Sequence, residues 1–123
     1  MAKYSVEIKN RKKLIKKADK LWAELIKKRD GFKCQRCHSE SKQLNSCHFY
    51  SRARKSTRWD LRNGVCLCVG CHFWGHQNPL EFSLWFIKWA GTSTVNYLQV
   101  KKMGKVKTSI FNLEIIIKEL EDE

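Results

Sequence analysis

Four of the six cysteines and three of the four histidines lie between Ser46 and His76. Two CxxC pairs, Cys34 with Cys37 in "CQRC" and Cys68 with Cys71 in "CVGC", stand thirty residues apart. Each pair turns two thiolates toward one point, so together they make the tetrahedral four-sulfur shell of a closed structural zinc site. Closing the long intervening loop costs little extra, because loop entropy grows only logarithmically with length. A structural zinc returns on the order of 10 kcal/mol of folding free energy in a small domain. The rival reading, a thioredoxin-type redox pair, lacks the βαβ pattern that would surround it. Cys66 and His38 are left over, since a tetrahedral ion has no room for them.

A second set of polar residues shares the same segment. His48, Asn63, His72 and His76 are separated by fifteen, nine and four residues. His72 and His76 form an i, i+4 pair on a short helix, with both imidazoles on one face, which suits joint ligation of one ion. Alone such a pair says little; beside a strand-borne His48 and an intervening Asn63 it says more.

These residues carry a resemblance. "CHF" at 47–49, "RNGVCLC" around Asn63 and "CHFWGH" at 71–76 resemble the HNH, or ββα-metal, nucleases, with spacings similar to the colicin DNase version. The doubled CxxC frame is similar to the zinc-stapled phage and bacterial members, and the likeness covers about residues 29–78. It implies an α+β fold: a small zinc-stapled ββα-metal core with flanking N- and C-terminal helices. It also implies that His48 is the general base, that Asn63 orients His48 or fixes the loop, and that His72 and His76 hold one catalytic divalent ion, Mg2+, Mn2+ or Zn2+. The residue before the base is usually a metal-binding histidine or aspartate, and here it is Cys47. As a thiolate Cys47 would be a third ligand favouring zinc or another softer ion; buried, it would leave the ion two protein ligands and more water. A wider likeness, through "RDGFKCQRC", "HFYSR", "RWDLRNGVCLC" and "VNYL" after Gly91, is to the lambdoid phage recombination nucleases of the NinG/Rap type. It implies branched DNA, such as Holliday junctions, as substrate.

The elements that must position these residues are legible in outline. The chain of 123 residues has no repeat or Gly/Ser linker and a single proline, so one domain is expected. It divides into a basic amphipathic helix (1–30), the zinc-bound core (31–78) and a helical C-terminal part (79–123). Leu14, Ile15, Ala18, Leu21, Trp22, Leu25 and Ile26 recur at helical spacing, predicting a helix over Arg11–Arg29 that "RDG" stops. Strands are expected near Leu44–Phe49 and Gly64–Cys68, separated by an arginine-rich loop, and a short helix follows. "NPLE" predicts a helix start with Asn78 as N-cap, Pro79 at the first position and Glu81 closing a capping box. That helix should run to Gly91 and pack Phe82, Trp85, Phe86 and Trp89 in the core. Helices over Ser93–Met103 and from Thr108 onward complete the scaffold.

Charge narrows the partner. The formal net charge is +13, with twelve basic against four acidic residues over positions 3–33. Arg52, Arg54, Lys55, Arg58 and Arg62 add a second cluster, and Lys101, Lys102, Lys105 and Lys107 a third. Three separated basic clusters around a ligand-dense centre point to the phosphates of nucleic acid, which these arginines would grip. No apolar stretch is long enough for a membrane span, so a soluble, cytoplasmic protein is expected, in the host cell if the chain is phage-encoded. The leading expectation is a metal-dependent DNA endonuclease acting on branched DNA, with a homodimer suited to a two-fold junction. The rivals are a general nicking HNH enzyme, a homing endonuclease, and a non-catalytic zinc module that binds DNA.

Overall fold

The computed structural model describes residues 2–123. The first helix, α1, spans Ala2–Arg29, starting well before Arg11. The apolar stripe ends at Leu14, but residues 2–13 include four lysines, Arg11, Glu7 and Ala2 and hold no glycine or proline, so propensity carries the helix onward. It ends as expected at Gly31, which takes φ 68°, and Phe32 follows at φ 54°. The Phe32 N–H closes the helix by donating to the Lys27 carbonyl at 2.8 Å, enough to hold a phenylalanine in left-handed backbone. Lys27, Lys28 and Arg29 in the last turn oppose the negative end of the helix dipole.

Two strands follow, β1 (Leu44–His48) and β2 (Gly64–Cys68), paired antiparallel with Leu44 opposite Cys68 and His48 opposite Gly64. Every residue of β2 is buried. Its alternation explains why: Val65 and Leu67 join Phe86, Val95 and Leu98 on one side. Cys66 faces Ala18, Trp22, Ile26, Leu113, Ile117 and Leu120 on the other. The sheet is thus a thin partition between two apolar clusters.

The arginine-rich connection contains a single helical turn, α2 (Lys55–Arg58), and a 3-10 turn, Leu61–Asn63. Neither has a sequence period to announce it. Then come α3 (Val69–Gln77), α4 (Pro79–Ala90), α5 (Thr92–Lys101) and α6 (Ile110–Glu121). Among the described residues the architecture is α+β, six helices around a two-stranded antiparallel sheet. The capping box expected at Asn78 does not form: its side chain makes no cap bond. Its Nδ2 instead donates to the Trp74 carbonyl at 3.0 Å, spending the amide on the end of α3, because α3 and α4 abut with one residue between them. Gly91, at φ 95°, separates α4 from α5. On α4, Phe86 is fully buried while Phe82, Trp85 and Trp89 are partly so. α6 packs Leu113, Ile117 and Leu120 on α1, and Ser109 caps it by accepting from the Asn112 N–H. No helix among the described residues is long and apolar enough to cross a membrane.

Candidate functional site

The sulfur centre comes from two turns. In the first, the Cys37 N–H donates to Cys34 Sγ at 3.4 Å and the His38 N–H to the Cys34 carbonyl at 2.8 Å. His38, exposed and at φ 66°, is the hinge of this knuckle. The Gln35 N–H fastens it to β2 by donating to the Cys66 carbonyl at 3.0 Å. In the second, Cys68 ends β2 and its Sγ accepts from the Cys71 N–H at 3.4 Å, capping α3. The four sulfurs lie within 4.8 Å of one another, with Cys37 exposed and the other three buried. Among the described residues no other group of three or more His, Cys, Asp or Glu side chains is so close.

The donor set fits a soft, tetrahedral ion such as zinc: four sulfurs, no competing oxygen, and N–H groups aimed at the thiolates. Burial alone would raise Cys34, but the backbone donors of Cys37, Cys68 and Arg36 outweigh it and hold that thiol down at about 6. Burial pushes Cys71 up to about 12, so an ion must displace its proton. Arg36 completes the surroundings, donating from Nη1 to Cys71 Sγ at 3.4 Å while its guanidinium lies 3.5 Å over the Trp74 ring. Cys66 stays outside. It is buried on the α1 side, where desolvation and then Asp30 raise its thiol to about 11.

A cleft of about 610 Å³ opens beside the hairpin, and Cys47, His48, His72 and His76 all line it, with Arg52 at its wall. The three imidazoles expected to act together therefore face one space. α3 carries two of them, with Nε2 of His72 and Nε2 of His76 3.0 Å apart. Two imidazoles bound to one ion at about 2.0–2.1 Å would hold their nitrogens roughly 3 Å apart, so the pair fits a shared ion. His72 Nδ1 meets the Asn45 amide at 3.1 Å. With Nδ2 presented, Nδ1 accepts, leaving the ring hydrogen on Nε2 to be given to His76. Burial, then the neighbouring His76, lowers the pKa of His72 and keeps the ring neutral.

His48 is held differently. Its Nε2 lies 3.0 Å from the Arg58 carbonyl. A carbonyl only accepts, so Nε2 carries the hydrogen and Nδ1 the lone pair. Desolvation draws the pKa of His48 below its usual 6.5, which favours the neutral form.

Asn63 is fully buried and brackets one residue of the loop after β1, accepting from the Tyr50 N–H at 2.8 Å and donating to the Tyr50 carbonyl at 3.0 Å. Of the two roles implied for it, its contacts are those of loop fixing; it makes no bond to His48. Cys47 is 3% exposed, and burial raises its pKa strongly. Its Sγ does not group with His72 and His76 as the four knuckle sulfurs do with one another, and its surroundings are those of a buried thiol.

The basic residues divide. Arg52, Arg54 and Arg62 are exposed and Lys55 half-buried, but only Arg52 borders the imidazole cleft. Lys55 and Arg62 line a second cleft with Asp60, Lys101 and Glu119, and Arg62 stacks 4.1 Å over Tyr97. Arg58 departs from expectation. It is 8% exposed and grips Asp19 through Nε at 3.0 Å and Nη2 at 2.7 Å, so it is spent on an internal ion pair. Sequence reasoning missed Asn45, Asp19 and Trp22, all in contact with the histidines or their supports. Asp19 and Trp22 lie outside the motif, Asn45 is a residue on β1 to which the motif gives no role, and no periodicity marks their contacts.

Compared with protein-family models, curated proteins and solved structures, the chain matches none of them.

Proposed function

We propose that the chain is a metal-dependent endonuclease of the HNH kind, hydrolysing DNA phosphodiester bonds. One observation carries the reading: a strand–strand–helix unit bearing His48 on β1 and His72 with His76 on α3 brings all three rings to one open cleft, apart from the sulfur centre. A module that only bound DNA through zinc would not need them there.

In this reading His72 and His76 would hold one divalent ion through Nε2, with the His72 ring hydrogen moved to Nδ1 and the Asn45 amide turned to present Oδ1 to it. When bound, such an ion stabilises charge on the non-bridging phosphate oxygen and on the departing 3′ oxygen. His48 Nδ1 takes a proton from water as the water oxygen bonds to phosphorus. The bond from phosphorus to the 3′ oxygen breaks and the departing oxygen takes a proton from solvent, giving a 5′-phosphate and a 3′-hydroxyl, while His48 later returns its proton to solvent. Asn63 keeps the loop beyond His48 in place, and Arg52 meets the neighbouring phosphate. Exposed lysines along α1, with Arg54, Lys55 and Arg62, supply affinity that falls as salt rises. Branched recombination intermediates are the substrate class, where two duplexes present more phosphates to several basic clusters at once.

The test uses the zinc-loaded protein on supercoiled plasmid and on a four-way junction, with Mg2+, Mn2+ or Zn2+ added, beside His48→Ala. Ion-dependent cleavage lost in the variant is expected, with the junction cut faster than duplex. Equal cleavage by the variant removes His48 from the chemistry. Salt-sensitive binding without cleavage by the wild type returns the protein to a zinc binding module.

A further inference from the structure

Two residues of helix α1, Trp22 and Asp19, lie outside the motif yet set the surroundings of His48. Trp22 stacks flat on the imidazole, with ring centroids 3.9 Å apart and planes 10° from parallel. The indole is itself fixed: it is 2% exposed, and its Nε1 donates to the Asp60 carbonyl at 2.8 Å. One turn earlier on the same face, Asp19 takes both the Arg58 guanidinium and the Trp59 Nε1–H, the latter at 2.9 Å. Arg58 is the residue whose carbonyl receives Nε2–H of His48. The strand opposite makes room. Gly64 pairs with His48 across the sheet, and a Cβ there would come within 2.4 Å of the Trp22 ring and 2.8 Å of Ile26.

We propose that Trp22 and Asp19 are positioning residues for the base, one fixing the plane of the His48 ring and the other the carbonyl that selects its tautomer. This rests on the endonuclease reading for its catalytic meaning, though not for its structural content. The physical reason is that an imidazole on a strand end retains two rotations. A flat aromatic against one face stops the swing about χ1. An anchored hydrogen-bond acceptor stops the flip about χ2 that would exchange Nδ1 for Nε2. Gly64 lets the indole reach that position, so the glycine serves the same purpose from below. A misplacement of about 1 Å in such a group costs on the order of 10²-fold in rate.

The experiment compares zinc-loaded wild type, Trp22→Leu, Trp22→Phe and Asp19→Asn, with Ile117→Val as a core change on the α6 side of α1. Nitrogen-15 spectra of the His48 ring at neutral pH report the tautomer, and plasmid nicking reports kcat and KM. Wild type and Ile117→Val should show one tautomer, with hydrogen on Nε2. Trp22→Leu and Asp19→Asn should show exchange between tautomers, with kcat down about 10- to 100-fold and KM within about two-fold. Trp22→Phe, which keeps a ring, should recover most of the rate. A folded Trp22→Leu or Asp19→Asn with wild-type spectra and wild-type kcat overturns the proposal. If Trp22→Leu does not fold, Asp19→Asn decides. If wild type cuts nothing, the endonuclease reading falls while the spectra still decide whether α1 sets the tautomer.

Discussion

The sulfur centre and the imidazole cleft sit at consecutive residues of one helix, Cys71 and His72, yet they are built to opposite rules. Around the sulfurs the ligand set is complete, mostly buried, and provided with N–H donors from the knuckle turns and from Arg36. Around the histidines, in the proposed reading, it would be incomplete: two Nε2 atoms 3.0 Å apart, with His72 held at Nδ1 by Asn45, beside a cleft of about 610 Å³. A closed shell leaves an ion nothing to react with, so it can only hold the fold; an open one leaves positions for water and substrate. The difference lies in ligand count and exposure, not in distance along the chain.

The comparison breaks most visibly at the sulfurs. Cys34→Ser should abolish tight zinc binding and, with an ion worth on the order of 10 kcal/mol, leave the domain unfolded by circular dichroism. At the cleft, His48→Ala should cut the nicking rate by about 10²- to 10⁴-fold while zinc content stays at the wild-type value, as expected for loss of a general base. Asn45→Ala sharpens the contrast further. Freed of its partner, His72 should bind the cleft ion about 10- to 100-fold more weakly in titrations, with the sulfur-bound ion unchanged.

Acidity should act on the cleft through His48. Only its neutral form can accept a proton, and burial lowers its pKa from 6.5. Cleavage should therefore be full above that value and fall about tenfold per pH unit once pH drops below the depressed midpoint, read from the pH profile of kcat/KM. A midpoint above 6.5 would contradict the burial argument. The smallest effect belongs to Arg52→Ala, a phosphate contact at the cleft wall, which should weaken DNA binding uniformly and reduce the salt slope by about one.

What could be read in advance follows from how local each feature is. The second strand, Gly64–Cys68, and the shared face of His72 and His76 lie within a few residues of chain, and both are found as expected. The four-cysteine cluster spans a long loop but announces itself by residue type. α2 was hidden because one turn of helix carries no period, and the first third of α1 because Ala2, Tyr4, Val6 and Ile8 alternate with polar residues, a period that does not mark a helix. Arg58 illustrates the deeper limit. As a residue in a basic run it looks like a phosphate ligand, and only the fold brings Asp19 to it from thirty-nine residues away. The stack of Trp22 on His48 is of the same kind, an aromatic on an apolar stripe whose partner is chosen by tertiary structure.

The Arg36 guanidinium lies 3.5 Å over the Trp74 ring while reaching for Cys71, and this has an optical consequence. Indole emission depends on the charge and polarity directly above the ring, so an ion taken up by the four sulfurs, which would change the charge at Cys71, should alter the light Trp74 gives off. Trp74 would thus report on any ion the sulfurs hold, and Trp74→Phe would identify its share among the five tryptophans.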